Sequence, residues 1–132
     1  MTYLLDSHTF LWAVLDKKKL SSKVLKILED TRYDVFISSV TYWEISLKYS
    51  LGKLDLEGIS PEMLPSLAEE IGFSVLPLSP EDAAGYHQLN ATWHKDPFDR
   101  MLIWQAIKSD MTLLSKDEHV LKYKSVGLKV SW

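Results

Sequence analysis

Thr2-Tyr3-Leu4-Leu5-Asp6-Ser7 is a short apolar run that ends on a carboxylate and passes at once into a helix-starting serine. A continuous apolar run of this length reads as a strand buried on both faces. Ser7 is a residue type that caps helix N-termini, and Ser7–Leu15 is expected to be a helix. The same phrase returns along the chain. Val35–Ser38 reads as a second strand before a helix from Val40 to Leu51, closed by Gly52. Phe73–Leu76 reads as a third strand before the helix start Ser79-Pro80-Glu81-Asp82, whose helix is expected to reach about Trp93. Thr112–Leu114 reads as a fourth strand before a short helix over Asp117–Leu121, and Leu128–Val130 as a last strand. Further helices are expected from about Ser21 to Thr31, from Pro61 to about Ile71, and from Asp99 to about Asp110. Strands alternating with helices predict an α/β domain with a parallel sheet covered on both faces. In such folds ligands sit beyond the carboxyl ends of the strands.

The chain has 132 residues, enough for one domain over 1–132 and too few for two. It has no cysteine, which excludes a disulfide framework and a thiolate metal site and suits the cytoplasm. The N-terminus lacks a basic segment followed by a long apolar one, so no signal peptide is expected. No apolar stretch approaches the ~20 residues a membrane span needs. The net charge of −3 argues against a passive nucleic-acid coat, which is usually basic. It leaves open an enzyme that meets phosphates through bound cations.

Four acids from distant parts of the chain are expected at one crevice. Asp6 directly follows the first strand and Asp117 comes shortly after the fourth. Glu44 lies early in the helix after the second strand, and Asp99 opens the helix after the Asp96-Pro97-Phe98 turn. Any one aspartate could merely cap a helix. Asp6 at the end of an apolar strand, and Glu44 among Val40, Tyr42, Trp43, Ile45 and Leu47, instead carry charge where it costs burial energy. Packed carboxylates repel one another unless a cation neutralises them, and Mg²⁺ prefers oxygen donors.

Leu4-Leu5-Asp6-Ser7-His8-Thr9-Phe10-Leu11-Trp12, Ser38-Ser39-Val40-Thr41-Tyr42-Trp43-Glu44-Ile45, His94-Lys95-Asp96-Pro97-Phe98-Asp99-Arg100-Met101-Leu102-Ile103 and Leu113-Leu114-Ser115-Lys116-Asp117 occur in this order. Together they resemble a PIN domain, and more narrowly a VapC-like toxin; Asp-Pro-Phe-Asp-Arg is the most specific element. The resemblance implies a three-layer fold with a parallel sheet of about five strands, in the order 3-2-1-4-5, flanked by helices. It implies an endoribonuclease dependent on Mg²⁺ or Mn²⁺, the toxin component of a type II toxin–antitoxin system. The family's acidic quartet carries over onto Asp6, Glu44, Asp99 and Asp117 as metal-binding and catalytic residues. Asp96 is an extra acid of the Asp-Pro-Phe-Asp-Arg variant, and Ser115 matches the family's Ser/Thr near the fourth acid.

Other residues have bland and sharp readings side by side. Asp96 is a turn residue or a support for the ligands. Arg100 pairs with an acid or with phosphate, more simply as a structural salt bridge. His8 reads as structural, and His94 and Lys95, at the mouth of the site, as RNA contacts or plain loop residues. Lys17-Lys18-Lys19, Lys48, Lys53 and Lys116 read as solvated charges. Phe10, Trp12, Trp43, Leu47 and Leu51 supply apolar bulk suited to an antitoxin groove, and the resemblance also implies a homodimer. The competing functions are another metal-dependent phosphoesterase, such as a DNase or phosphatase, and a non-catalytic binding module.

Overall fold

The computed structural model describes residues 1–132. Five parallel strands, β1 (Thr2–Leu5), β2 (Asp34–Ser38), β3 (Ser74–Leu76), β4 (Thr112–Leu114) and β5 (Lys129–Ser131), form one sheet in the order β3-β2-β1-β4-β5. All four pairings are parallel, with Tyr3 opposite Val35 on one side and Thr112 on the other. Side chains alternate across a strand, so β1 feeds two cores. Tyr3 and Leu5 pack with Phe10, Val24, Ile37, Ile45, Leu64 and Phe73. Leu4 packs on the opposite face with Leu89, Ile103, Leu113, Tyr123 and Leu128. Helices α1 (Ser7–Leu15), α2 (Ser22–Glu29), α3 (Ser39–Ser50) and α4 (Leu64–Ile71) supply the first layer. Helices α5 (Pro80–Gly85), α6 (Pro97–Lys108) and α7 (Glu118–Leu121) lie on the other side. No helix is long and apolar enough to cross a membrane.

The strand order reverses between β1 and β4, because the chain first winds outward through β2 and β3 and then returns past β1. Such a switch point opens a crevice at the carboxyl edge. Thr9 closes its floor: its hydroxyl donates to the Leu114 carbonyl at 3.0 Å, while Asp6 N–H donates to the same oxygen at 3.3 Å.

Three helix starts that differ from the sequence expectation carry a carboxylate cap, and the helix expected from Pro61 instead begins at Leu64 after a 3₁₀ turn over Pro61–Met63. Asp6, not Ser7, caps α1 and accepts Thr9 N–H at 2.8 Å. Asp96 caps α6, accepting Phe98 N–H at 2.8 Å, so the helix begins at Pro97. Asp117 caps α7 through His119 N–H, also at 2.8 Å. In each case the carboxylate sits just before the first helical residue, where it accepts an exposed amide and complements the helix dipole.

The helix expected to run to Trp93 ends at Gly85 and passes into a short 3₁₀ turn over Tyr86–Gln88. A Cβ at Gly85 would lie 3.3 Å from the Trp104 ring, so any larger residue would press on the indole and push it back by a few tenths of an ångström. Beyond it, Arg100 gathers backbone that a helix would have kept for itself. Its guanidinium donates to the carbonyls of Leu89, at 2.6 Å, and Ala91, and to the hydroxyls of Tyr86 and Tyr123, at 2.9 and 3.1 Å. Arg100 therefore pairs with no acid, and its role is to hold the loop that leads into the site. Replacing it strands carbonyls shielded from water and removes charge-assisted bonds. Arg100→Met is expected to lower unfolding free energy by about 2–4 kcal/mol. Urea denaturation checks this, and an unshifted midpoint would contradict it.

Candidate active site

Each acid reaches the crevice by a different local device. Asp6 leaves the end of β1 and is 7% exposed. Burial pushes its carboxyl upward, against the Ser115 hydroxyl and the Thr9 hydroxyl and N–H, which favour the charged form. Glu44 is 3% exposed and held at both oxygens. Ser7 donates to Oε1 at 2.5 Å, and Lys48, one turn further along α3, pairs with Oε2. The Ser7 and Thr41 hydroxyls are also paired at 3.3 Å, tying the start of α1 to α3. Ser38 caps α3 through Val40 N–H and donates to Gln105 on α6 at 2.6 Å, which fixes the opposite wall.

Asp99, like Asp6, is destabilised in its charged form. Its carboxyl is raised to about 7, first by burial and then by the charges of Glu44, Asp96 and Asp6, with His94 opposing. These fields identify Asp6, Glu44, Asp96 and Asp99 as one electrostatic cluster.

His94 joins Asp117 to that cluster. Asp96 N–H donates to His94 Nδ1 at 3.1 Å, which leaves the hydrogen on Nε2. Nε2–H then faces Asp117 Oδ2 at 2.8 Å and Asp99 Oδ2 at 3.2 Å. Donor atoms of His94, Asp99 and Asp117 lie within 4.8 Å of one another. Asp117 is pulled below its ordinary range: burial raises it, but the hydrogen bonds from His119 N–H and His94, and the charges of both histidines, outweigh that.

Apart from His94 the donors are oxygens, three carboxylates of the quartet are pre-anchored by hydrogen bonds, and the fourth is driven toward protonation. Such a donor set could hold a hard divalent cation.

Residues 3–126 match the model of the PIN domain. The chain belongs to the PIN domain family. It is 24% identical over 123 residues to Ribonuclease VapC22 of Mycobacterium tuberculosis (strain ATCC 25618 / H37Rv), covering 93% of this chain and 92% of the relative. Among solved structures, VapBC-1 from nontypeable Haemophilus influenzae superposes with a TM-score of 0.70 at 18% identity, covering 99% of this chain and 97% of that one. VapBC2 from Rickettsia felis, bound to a DNA fragment from its promoter, gives 0.68 at 18% identity, covering 99% and 98%.

Within this PIN fold, Asp96 adds charge to the cluster while capping α6, and Ser115 lies beside Asp6 and accepts Asp117 N–H at 3.2 Å. Sequence reading missed the part played by His94, Lys48, Ser7 and Gln105. Only Lys48 was signalled, by its i,i+4 spacing from Glu44.

The Asp99 shift gives a signed stability prediction for the metal-free protein. The folded carboxyl titrates near 7 and the unfolded one near 3.8, so the folded state binds more protons between them. Stability is therefore highest below about pH 4 for this group and falls as pH rises through about 7. Asp99→Asn is expected to raise metal-free stability by about 1–3 kcal/mol at about pH 8 and to flatten this decline. Thermal melts in a chelator between about pH 5 and 8 read both effects; a melting point that falls in the mutant at the upper pH would contradict the prediction.

Proposed function

We propose that this PIN protein is a divalent-metal-dependent endoribonuclease and the toxin of a type II toxin–antitoxin pair. One observation carries the reading: Asp99, raised to about 7 by burial and by the charges of Glu44, Asp96 and Asp6, stands at the carboxyl edge of the sheet. Structural capping alone gives no reason to gather carboxylates until one is driven toward protonation, which argues against a non-catalytic module. The ribonuclease named among its relatives supports RNA over the other phosphodiesters a metal site could cut.

In this reading Asp6, Glu44, Asp99 and Asp117 hold Mg²⁺ or Mn²⁺, which supplies Lewis-acid polarisation of a phosphodiester and an activated water. The protein's own part is positioning. Thr9 N–H fixes Asp6, Ser7 and Lys48 fix Glu44, and His94 holds Asp117 and one oxygen of Asp99. Asp96 orients the first turn of α6 and adds the negative field that draws a cation in.

An antitoxin would exploit the same field by presenting Arg or Lys to the acids. It would also need apolar surface, because exposed ion pairs contribute only about 0–1 kcal/mol each. Phe10 supplies none of that surface, being fully buried in the core. Trp43, Leu47 and Leu51, at successive i+4 positions on and just after α3, are 63%, 38% and 58% exposed and do offer it. That stripe serves an antitoxin or a second copy of the chain, and a homodimer in the cytoplasm is the expected resting form.

Purified protein is expected to cut single-stranded RNA with Mg²⁺ or Mn²⁺ and to stop on addition of EDTA. Asp6→Asn and Asp99→Asn should each reduce cleavage by about a hundredfold or more with the fold intact. Cleavage undiminished by EDTA, or wild-type rates in either variant, would sink the metal mechanism. Expression without an antitoxin should arrest growth, and Asp6→Ala should relieve the arrest; equal toxicity of the two forms would point away from catalysis.

A further inference from the structure

A cavity of about 320 Å³ opens beside the acids and is lined by Asp6, His8, Thr9, Trp12, Lys116 and Asp117. Two of its walls are the carboxylates at the ends of β1 and β4, so it is continuous with the candidate active site. The other walls differ in chemistry. His8 and Trp12 stand one turn apart on α1, with ring centroids at 5.9 Å. Trp132 meets the Trp12 ring edge-on at 5.8 Å and buttresses it. The Lys116 ammonium lies 6.0 Å from the Trp12 ring centroid. Lys116 is exposed and forms no ion pair, whereas Lys48 is committed to Glu44.

We propose that this cavity is a nucleotide subsite: an unpaired base of the RNA stacks on Trp12 with the tilted His8 ring at its edge, and Lys116 neutralises an adjacent phosphate. The proposal rests on the ribonuclease reading of the acidic site and names the residues beside it that hold the strand. A chain of net charge −3 with a carboxylate cluster repels a polyanion, so a cation free of any carboxylate beside the acids is what a phosphate would meet. A flat aromatic surface next to a phosphate-binding cation is the pairing by which proteins hold single strands, whose bases have free faces. A duplex keeps those faces stacked internally and has nothing to offer Trp12. A basic peptide fits the cavity less well, because the Lys116 ammonium on its rim would repel it.

The test uses the Asp99→Asn protein, which should bind without cutting, and fluorescein-labelled single-stranded RNA read by anisotropy. Adding Trp12→Leu, which keeps apolar bulk against Trp132, should weaken binding about 5- to 100-fold, and Trp12→Phe should retain most of it. Lys116→Gln should reduce the slope of log affinity against log salt by roughly 0.7. Binding of the same sequence as a duplex should not respond to Trp12→Leu. His8→Ala and Lys116→Gln alter exposed side chains, so they test the subsite even if Trp12→Leu fails to fold. Unchanged single-strand affinity in Lys116→Gln together with either Trp12→Leu or His8→Ala overturns the subsite. If the wild-type chain cuts RNA with Mg²⁺ or Mn²⁺ in the same series, that failure leaves the nuclease reading standing. If it cuts none, the nuclease reading falls and the subsite falls with it.

Discussion

Repulsion among carboxylates held at one edge of the sheet is the constraint around which this protein is arranged. The buried polar residues are Asp6, Ser7, Thr9, Ser38, Thr41, Glu44, Gln105 and Ser115. All follow the carboxyl ends of β1, β2 or β4 or lie on the helices that face them. Buried polar groups are tolerated only when hydrogen-bonded, and here they are bonded largely to one another or to the acids. The apolar cores on the two sides of the sheet hold this polar layer in place. The fold thus stabilises an arrangement of charge that would disperse if its side chains were free.

The compensation for this repulsion is local and incomplete. Lys48 serves Glu44, and His94 serves Asp117 and one oxygen of Asp99. Asp99 is left with one oxygen unpartnered and a carboxyl raised to about 7 by burial and by Glu44, Asp96 and Asp6. On the proposed reading an incoming cation would gain at this residue, because it would relieve a cost the fold already carries. Arg100 sits next to Asp99 in sequence yet turns away to hold the Leu89–Ala91 backbone. A permanent guanidinium at the acids would fill the place of an exchangeable ion.

Much of this was legible in the sequence because the fold and the acids are both written locally. Apolar runs of strand length ended by Asp6, or followed closely by Asp117, mark strand and site together, and the parallel order followed from alternation and from the PIN resemblance. Helix starts were misread where a hydroxyl and a carboxylate compete, as at Ser7 and Asp6, since the winner is decided by chain direction at the strand end. The end of α5 was invisible because it depends on Trp104 packing over Gly85 and on Arg100, more than a dozen residues away. His94 was passed over as a loop residue because its role comes from tertiary placement: only the Asp96 N–H bond to Nδ1 aims Nε2 at the two carboxylates.

The central claim is that the acid cluster exists to take up a divalent cation, with Asp99 as the residue that cation unprotonates. Calorimetric titration of Mg²⁺ or Mn²⁺ in buffers of different ionisation enthalpy counts the protons released on binding. With Asp99 near 7, release should approach one proton at about pH 6 and fall toward zero by about pH 9. Saturable binding with that pH profile is the expected result. No binding at millimolar metal, or binding that releases no proton at about pH 6, would contradict the account.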